Sequence, residues 1–332
     1  MKLGKMIAAG VLSLSLLTGT SFAAPAWQLP QSGKVFYDEA KQIYISNTMK
    51  RLLSENFKVN FSAPNGWTYE KFSVDGVNVE RLANPKQKKS SRVVLQLHGG
   101  GYVGKLSDWY RDFAVKQAVM TEAREVYMVD YRVAPEHVYP AALDDAEKAY
   151  EELLRRGVGS ENIIVFGDSA GGNLALALSL RLKENRLPQP ALLILLSPRT
   201  TFEPDSPSRI ANADRDLVLG KINQKMYEAV SHPVYAGQTP LNDPHLSPIY
   251  ADLKNLPPTL IQIGGYELFV DEGIELLKKA TADELNVTLS VYQGMPHDFS
   301  VLLPELDESV KSFIEIKNFV NLYMPKDEGQ QK

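Results

Sequence analysis

Cysteine is absent from the 332 residues, so neither a disulfide framework nor thiol chemistry is available, and no lipidated cysteine can anchor the chain. Histidine is scarce: His98, His137, His232, His245 and His297 are the five imidazoles from which a general base must come. Basic charge is not in excess either. With 36 Lys and Arg against 40 Asp and Glu the formal charge is −4, which argues against nucleic acid or an anionic membrane as partner. The apolar run at 6–17 is too short to span a bilayer, which takes about 20 residues. Preceded by Lys2 and Lys5 and followed by Ser21, Phe22 and Ala23, it reads as an export signal, residues 1–23, removed to leave a secreted or periplasmic protein. Losing those two lysines takes the formal charge from −4 to −6. What the chain does have is 44% hydrophobic residues, enough to bury a large core in one α/β domain.

The stretch that organises the rest is 163–178. Ile163-Ile164-Val165-Phe166 is a short β-branched run, as in a strand covered on both faces, and the Leu- and Ala-rich residues from Asn173 onward favour a helix. Between them Gly167-Asp168-Ser169-Ala170-Gly171 forms a G-x-S-x-G elbow, in which glycines spare a crowded bend any Cβ and leave the Ser169 hydroxyl clear of the sheet. The positive end of the following helix then faces the place where negative charge develops on a substrate.

In chain order, residues 24–34 look like a flexible leader and 35–57 like one or two amphipathic helices suited to a lid. Two strand-like runs flank Asp75-Gly76, a hairpin turn, and 84–91 is a polar loop. The strand at 93–98 ends on His98-Gly99-Gly100-Gly101. Successive glycines leave backbone N–H groups open to a substrate oxygen, so this loop suits one side of an oxyanion hole, with His98 a structural residue that shapes it. A strand at 126–133 precedes a helix over 139–156 whose polar side carries Asp144, Asp145, Glu147 and Lys148; the paired carboxylates Asp144-Asp145 are expected to be solvated rather than catalytic. Strands at 191–196, 259–264 and 287–292 and a closing helix at 307–323 complete an alternating pattern, which implies a parallel sheet with right-handed crossovers. The alternation breaks over 199–250, helix-like at 217–230 and rich in proline, an insertion expected to be a lid. The tail after Pro325 is charged and expected to fray.

In an open parallel sheet functional groups gather at the carboxyl ends of the strands. Ser169, Glu267 and His297 each follow such an end, in the order nucleophile, acid, base. His297 would take the hydroxyl proton and Glu267 would orient the imidazole. Asp271, four residues beyond Glu267, is the competing acid, although it falls deeper into the following helix.

These stretches together resemble the hormone-sensitive-lipase family of α/β-hydrolases. The likeness rests on His98-Gly99-Gly100-Gly101, on Asp130 to His137 with Pro140 to Asp145, on Gly167 to Gly172, on Glu267 to Asp271 and on Gly294-Met295-Pro296-His297-Asp298-Phe299, from about residue 67 to the last helix. It implies an α/β-hydrolase fold, a mostly parallel central sheet flanked by helices under an α-helical cap: 24–66 as leader and cap helices, 67–332 as catalytic domain with its cap insertion at about 199–250. It further implies Ser169 as nucleophile, Glu267 as acid and His297 as base, with Gly100, Gly101 and Ala170 as the oxyanion hole, no metal or organic cofactor, and esters of short to medium acyl chains as substrates. The expected partner is a small-molecule ester, with no nucleic acid, no stable membrane insertion once the signal is gone, and a homodimer left open. Glu267 stands where many relatives carry Asp. Asp298 stands where glycine is usual, adding a carboxylate beside the base that would raise its pKa or narrow the pocket. An amidase or arylformamidase on the same serine, or a receptor that binds a small ligand without chemistry, are the alternatives; a receptor would be expected to have lost one of the three side chains.

Overall fold

In the computed structural model, which describes residues 26–325 apart from 53, 55 and 56, short apolar runs assemble into one eight-stranded sheet. The expected signal at 1–23 lies outside the described residues. β1 (Thr68–Val74) and β2 (Val77–Ala83) close over Asp75-Gly76 as an antiparallel hairpin. β3 (Val93–Leu97), β4 (Glu125–Asp130), β5 (Ile163–Asp168), β6 (Leu192–Leu196), β7 (Thr259–Gly264) and β8 (Val287–Tyr292) run parallel, and β2 joins them antiparallel to β4. The order is β1-β2-β4-β3-β5-β6-β7-β8. It reverses at β3, and at such a switch point the strand ends leave a crevice.

Helices cover both faces, so the central strands are buried throughout. Along β5, Ile163 and Val165 pack toward α3 (Ala141–Arg155) and α4 (Ala170–Glu184), and Ile164 and Phe166 toward α2 (Asp108–Thr121) and α9 (Asp307–Tyr323). This two-residue alternation is what a strand between two helical layers requires. α7 (Val270–Ala282) lies on the first face through Leu276 and Ala280.

A third cluster sits over the strand ends. α1 (Asp38–Leu52) contributes Ile45 and Met49; the 199–250 segment, with α5 (Pro207–Ala211) and α6 (Gln224–Ser231), contributes Val218, Leu219 and Val230; Phe269 and, from α8 (Phe299–Leu302), Phe299 complete it.

Three local expectations need correction, and one helix is added to them. The leader is packed where it is described: the Trp27 ring meets Phe313 edge-on at 5.7 Å, and Ala26 and Leu29 join the α2–α9 layer. The helix expected from 217 begins only at Gln224, because the Asp216 carboxylate accepts the N–H groups of Val218 and Leu219 and holds that stretch as a turn. Asp145 is not solvated; it is 1% exposed and accepts the Arg132 backbone N–H and guanidinium at 2.9 and 2.8 Å. Residues 108–121 form α2, a helix additional to those expected. Among the described residues no helix is long and apolar enough to cross a membrane.

Candidate active site

The elbow forms because nothing larger than glycine fits around it. A Cβ on Gly171 would lie 1.9 Å from the Leu97 carbonyl oxygen, and one on Gly167 would lie 2.2 Å from the Gly171 carbonyl oxygen. Ser169 itself takes φ 51° and ψ −116°, a conformation that costs a non-glycine residue roughly 1–3 kcal/mol. Surrounding bonds hold it there: its N–H donates to Leu196 at 2.8 Å, and its carbonyl accepts from Asn173 and Arg199.

Two later segments line up behind its hydroxyl. His297 brings Nε2 to 2.9 Å from Ser169 Oγ, and on the other side of the ring its Nδ1 faces Glu267 Oε2 at 3.5 Å. The second contact is longer than a hydrogen bond, of the kind that tightens once the ring carries a proton. When the unprotonated ring carries its one proton on Nδ1, facing Glu267, Nε2 is the acceptor for the serine proton. Asp271 takes no part; its carboxylate accepts the Ser208 N–H at 2.8 Å, toward the roof. Of the other imidazoles, His98 is fully buried, bonds the Gly99 carbonyl through Nδ1 at 2.8 Å and stacks on Tyr131 at 4.1 Å. Burial depresses it to about 4, so it stays neutral.

The glycine loop lies against the elbow through Asp168, whose carboxylate accepts the Gly99 N–H at 3.0 Å and the Tyr110 hydroxyl at 2.7 Å. Gly100 and Gly101 adopt φ of +105° and +64°, a region that favours glycine. No acceptor among the described residues takes the N–H of Gly100, Gly101 or Ala170. Those three groups border the same cavity as Ser169, about 190 Å³ in volume and walled by Val218, Leu219, Met226 and Val230 from the roof.

Asp298 sits in the left-handed region, φ 51°, which aims its Oδ2 at His297 Nε2, 3.1 Å away, beside the serine contact. Burial works to lower the imidazole pKa, yet with Asp298 on one nitrogen and Glu267 on the other it rises well above the ordinary value. Burial pushes Glu267 up to about 7 against the pull of His297 and Ser197, and burial with Asp298 nearby holds Asp168 well above the usual carboxylate range.

Sequence reasoning missed two residues here. Asp216 is fully buried and spans three segments: Oδ2 accepts the Leu268 N–H at 3.0 Å, and Oδ1 accepts those of Val218 at 3.0 Å and His297 at 3.4 Å. It thus ties the roof to the loops bearing Glu267 and His297, and nothing local in the sequence marks it. Tyr110 lies on α2, whose helical period at Phe113, Ala114, Gln117 and Ala118 was available as a signal. Among the described residues no cluster of three or more His, Asp or Glu stands ready for a metal ion.

Residues 94–301 match the alpha/beta hydrolase fold family. Among curated proteins, the chain is 33% identical to an esterase of Acinetobacter venetianus over 70% of its own length and 76% of that protein's. Among solved structures, an esterase from the bacterial hormone-sensitive lipase family superposes with a TM-score of 0.77 at 28% identity, covering 87% of this chain and all of the other. EstE5, a structure soaked with p-nitrophenyl butyrate, does so at 0.75 and 29% identity, over 86% of this chain and 99% of its own.

Proposed function

The chain belongs to the hormone-sensitive-lipase family of α/β-hydrolases and hydrolyses carboxylic esters, and from that premise we propose that it is an exported serine carboxylesterase working through an acyl-enzyme. The observation that carries this reading is the 2.9 Å approach of an imidazole nitrogen to Ser169 Oγ inside a cavity edged by uncommitted N–H groups. His297 Nε2 takes the hydroxyl proton as Oγ adds to the ester carbonyl, and the oxygen that gains the charge is received by the N–H groups of Gly100, Gly101 and Ala170. Collapse expels the alcohol, which leaves with the proton from Nε2. Water then repeats the two steps on the acyl-serine, and Glu267 holds the imidazolium that forms each time.

A cavity of about 190 Å³ is below the roughly 300–1,000 Å³ of sites for drug-sized ligands, which favours short to medium acyl groups. Export rests on residues 1–23, and mass analysis of mature protein from a culture should find a chain starting at residue 24. Nitrophenol release from p-nitrophenyl butyrate, with a fall of roughly 10⁴-fold or more in Ser169→Ala, tests the central claim. Full activity in that variant sinks it. A series of acyl lengths should peak at the short end.

A further inference from the structure

Arg199 lies three residues beyond β6, and its backbone is part of the elbow's support. Its N–H donates to the Ser169 carbonyl at 3.2 Å, and its carbonyl accepts Asn173 Nδ2 at 3.0 Å. Arg199 forms part of the wall of the cavity that holds Ser169 and His297, and the residue is only 7% exposed. Nε donates to the Thr201 carbonyl at 2.9 Å, and Nη2 to those of Phe202 at 3.4 Å and Val230 at 3.1 Å. The planar group also stands 4.1 Å from the centre of the Phe202 ring.

What it lacks is an ion pair of its own: Glu272 attracts it only from beyond contact distance. Among the described residues no carboxylate comes within ion-pair distance of Arg199, and its Nη1 has no acceptor. Glu272, the acid closest to this role, is committed to Arg209 at 2.6 Å and to the N–H groups of Thr200 and Thr201 at 3.2 and 3.3 Å. Asp298, which also lines the cavity, stands 3.1 Å from the His297 ring. Burial, with the like charge of Arg209, depresses the Arg199 guanidinium to about 9. Charges this buried are ordinarily paired. Holding the roof through Val230 occupies Nη2 and leaves Nη1 unexplained.

We propose that Arg199 anchors a carboxylate carried by the substrate itself, so that the preferred substrates are esters whose acyl or alcohol part bears a free carboxylate. This rests on the ester-hydrolase reading of the same cavity. One free guanidinium nitrogen in so small a space suits a single planar monoanion.

The test uses matched pairs on the full protein. For the acyl side, p-nitrophenyl hydrogen succinate is compared with its methyl-capped diester; for the alcohol side, para-acetoxybenzoate with para-acetoxybenzamide. One of the carboxylates should exceed its neutral partner in kcat/KM by on the order of tenfold or more, the scale of one charge-assisted hydrogen bond. Arg199→Met should erase that ratio, and Arg199→Lys should keep part of it. No preference in either pair, or a preference unchanged in Arg199→Met, overturns the proposal. Should both variants fail to fold, the wild type decides by itself: phenylacetate must inhibit p-nitrophenyl butyrate hydrolysis more strongly than phenylacetamide, and equal inhibition refutes the anchor. If no ester is hydrolysed, the parent reading has failed, and calorimetric titration with the same acid and amide still tests Arg199 separately.

Discussion

Around Ser169 the chain is fixed by want of room, whereas the roof over it is fixed by buried charge. On the floor of the cavity Gly171 presses against the Leu97 carbonyl and Gly167 against the Gly171 carbonyl, so backbone meets backbone with no space for a methyl group. In the roof Arg209 pairs with Glu272 at 2.6 Å, and Asp216 gathers backbone N–H groups from three segments. A nucleophile held in an unfavourable conformation needs a mould that cannot yield. A cover assembled from distant segments needs directional bonds, because its irregular backbone has few ladder partners of its own. The floor should therefore tolerate changes of charge and not of volume, and the roof the reverse.

The largest effect should come from Gly171→Ala. A Cβ 1.9 Å from one carbonyl oxygen and 2.6 Å from the next forces the elbow and β3 apart. A loss of about 4 kcal/mol or more is expected, read as little soluble protein or a collapsed denaturation midpoint. A stable, active Gly171→Ala would show that the floor yields after all.

Next is Glu272→Gln, which leaves Arg209 buried without its counterion. Breaking one side of such a pair costs about 3–5 kcal/mol, whereas the double change Arg209→Met with Glu272→Leu should recover only part of it, since no charge is then left unpaired but the Thr200 and Thr201 N–H groups lose their acceptor. Urea denaturation of the single and double variants checks both. If the single change is silent, charge does not hold the roof.

The same contrast explains what the sequence disclosed. The floor follows from neighbours in the chain: a β-branched run, a glycine-framed serine and a Leu- and Ala-rich helix are written contiguously over 163–182, and strand ends mark where Glu267 and His297 fall. The family resemblance rests on the same contiguous motifs. The roof depends on partners remote in sequence, Asp216 with His297 across 81 residues and Arg209 with Glu272 across 63, and no periodicity announces either. Asp145 was misjudged for the same reason, because its helix position suggested solvent while Arg132, 13 residues earlier, folds back to cover it. Trp27 gave no local sign of its place against Phe313. α2 is different: its apolar spacing at Phe113, Ala114 and Ala118 is legible in the sequence.

Asp216→Asn should act more mildly. The amide keeps the shape, but its NH₂ end must face an N–H that had an acceptor, which costs roughly 1–3 kcal/mol. Because those N–H groups belong to the loops of Glu267 and His297, kcat should fall about tenfold with KM little changed, as expected when reacting groups lose their alignment. A change in KM alone would place Asp216 in cavity shape rather than in the alignment of acid and base.

The smallest effect, and the most diagnostic for the rim where floor and roof meet, should come from Asp298→Asn. His297 is faced by Glu267 at Nδ1 and by Asp298 and Ser169 at Nε2, with Asp216 bonded to its backbone and Asp168 behind the serine. Only the unprotonated ring can accept the Ser169 proton, so every carboxylate that raises its pKa moves the acid limb of kcat/KM to higher pH. Removing the Asp298 charge lowers that pKa while Glu267 keeps its share. The acid limb should then shift downward by about one pH unit or more, the usual scale for one adjacent opposite charge. Below the wild-type midpoint the variant should be the faster enzyme, and on the plateau the two should converge. An acid limb that stays in place would mean that the Asp298 carboxylate, for all its closeness to Nε2, does not govern the protonation of His297.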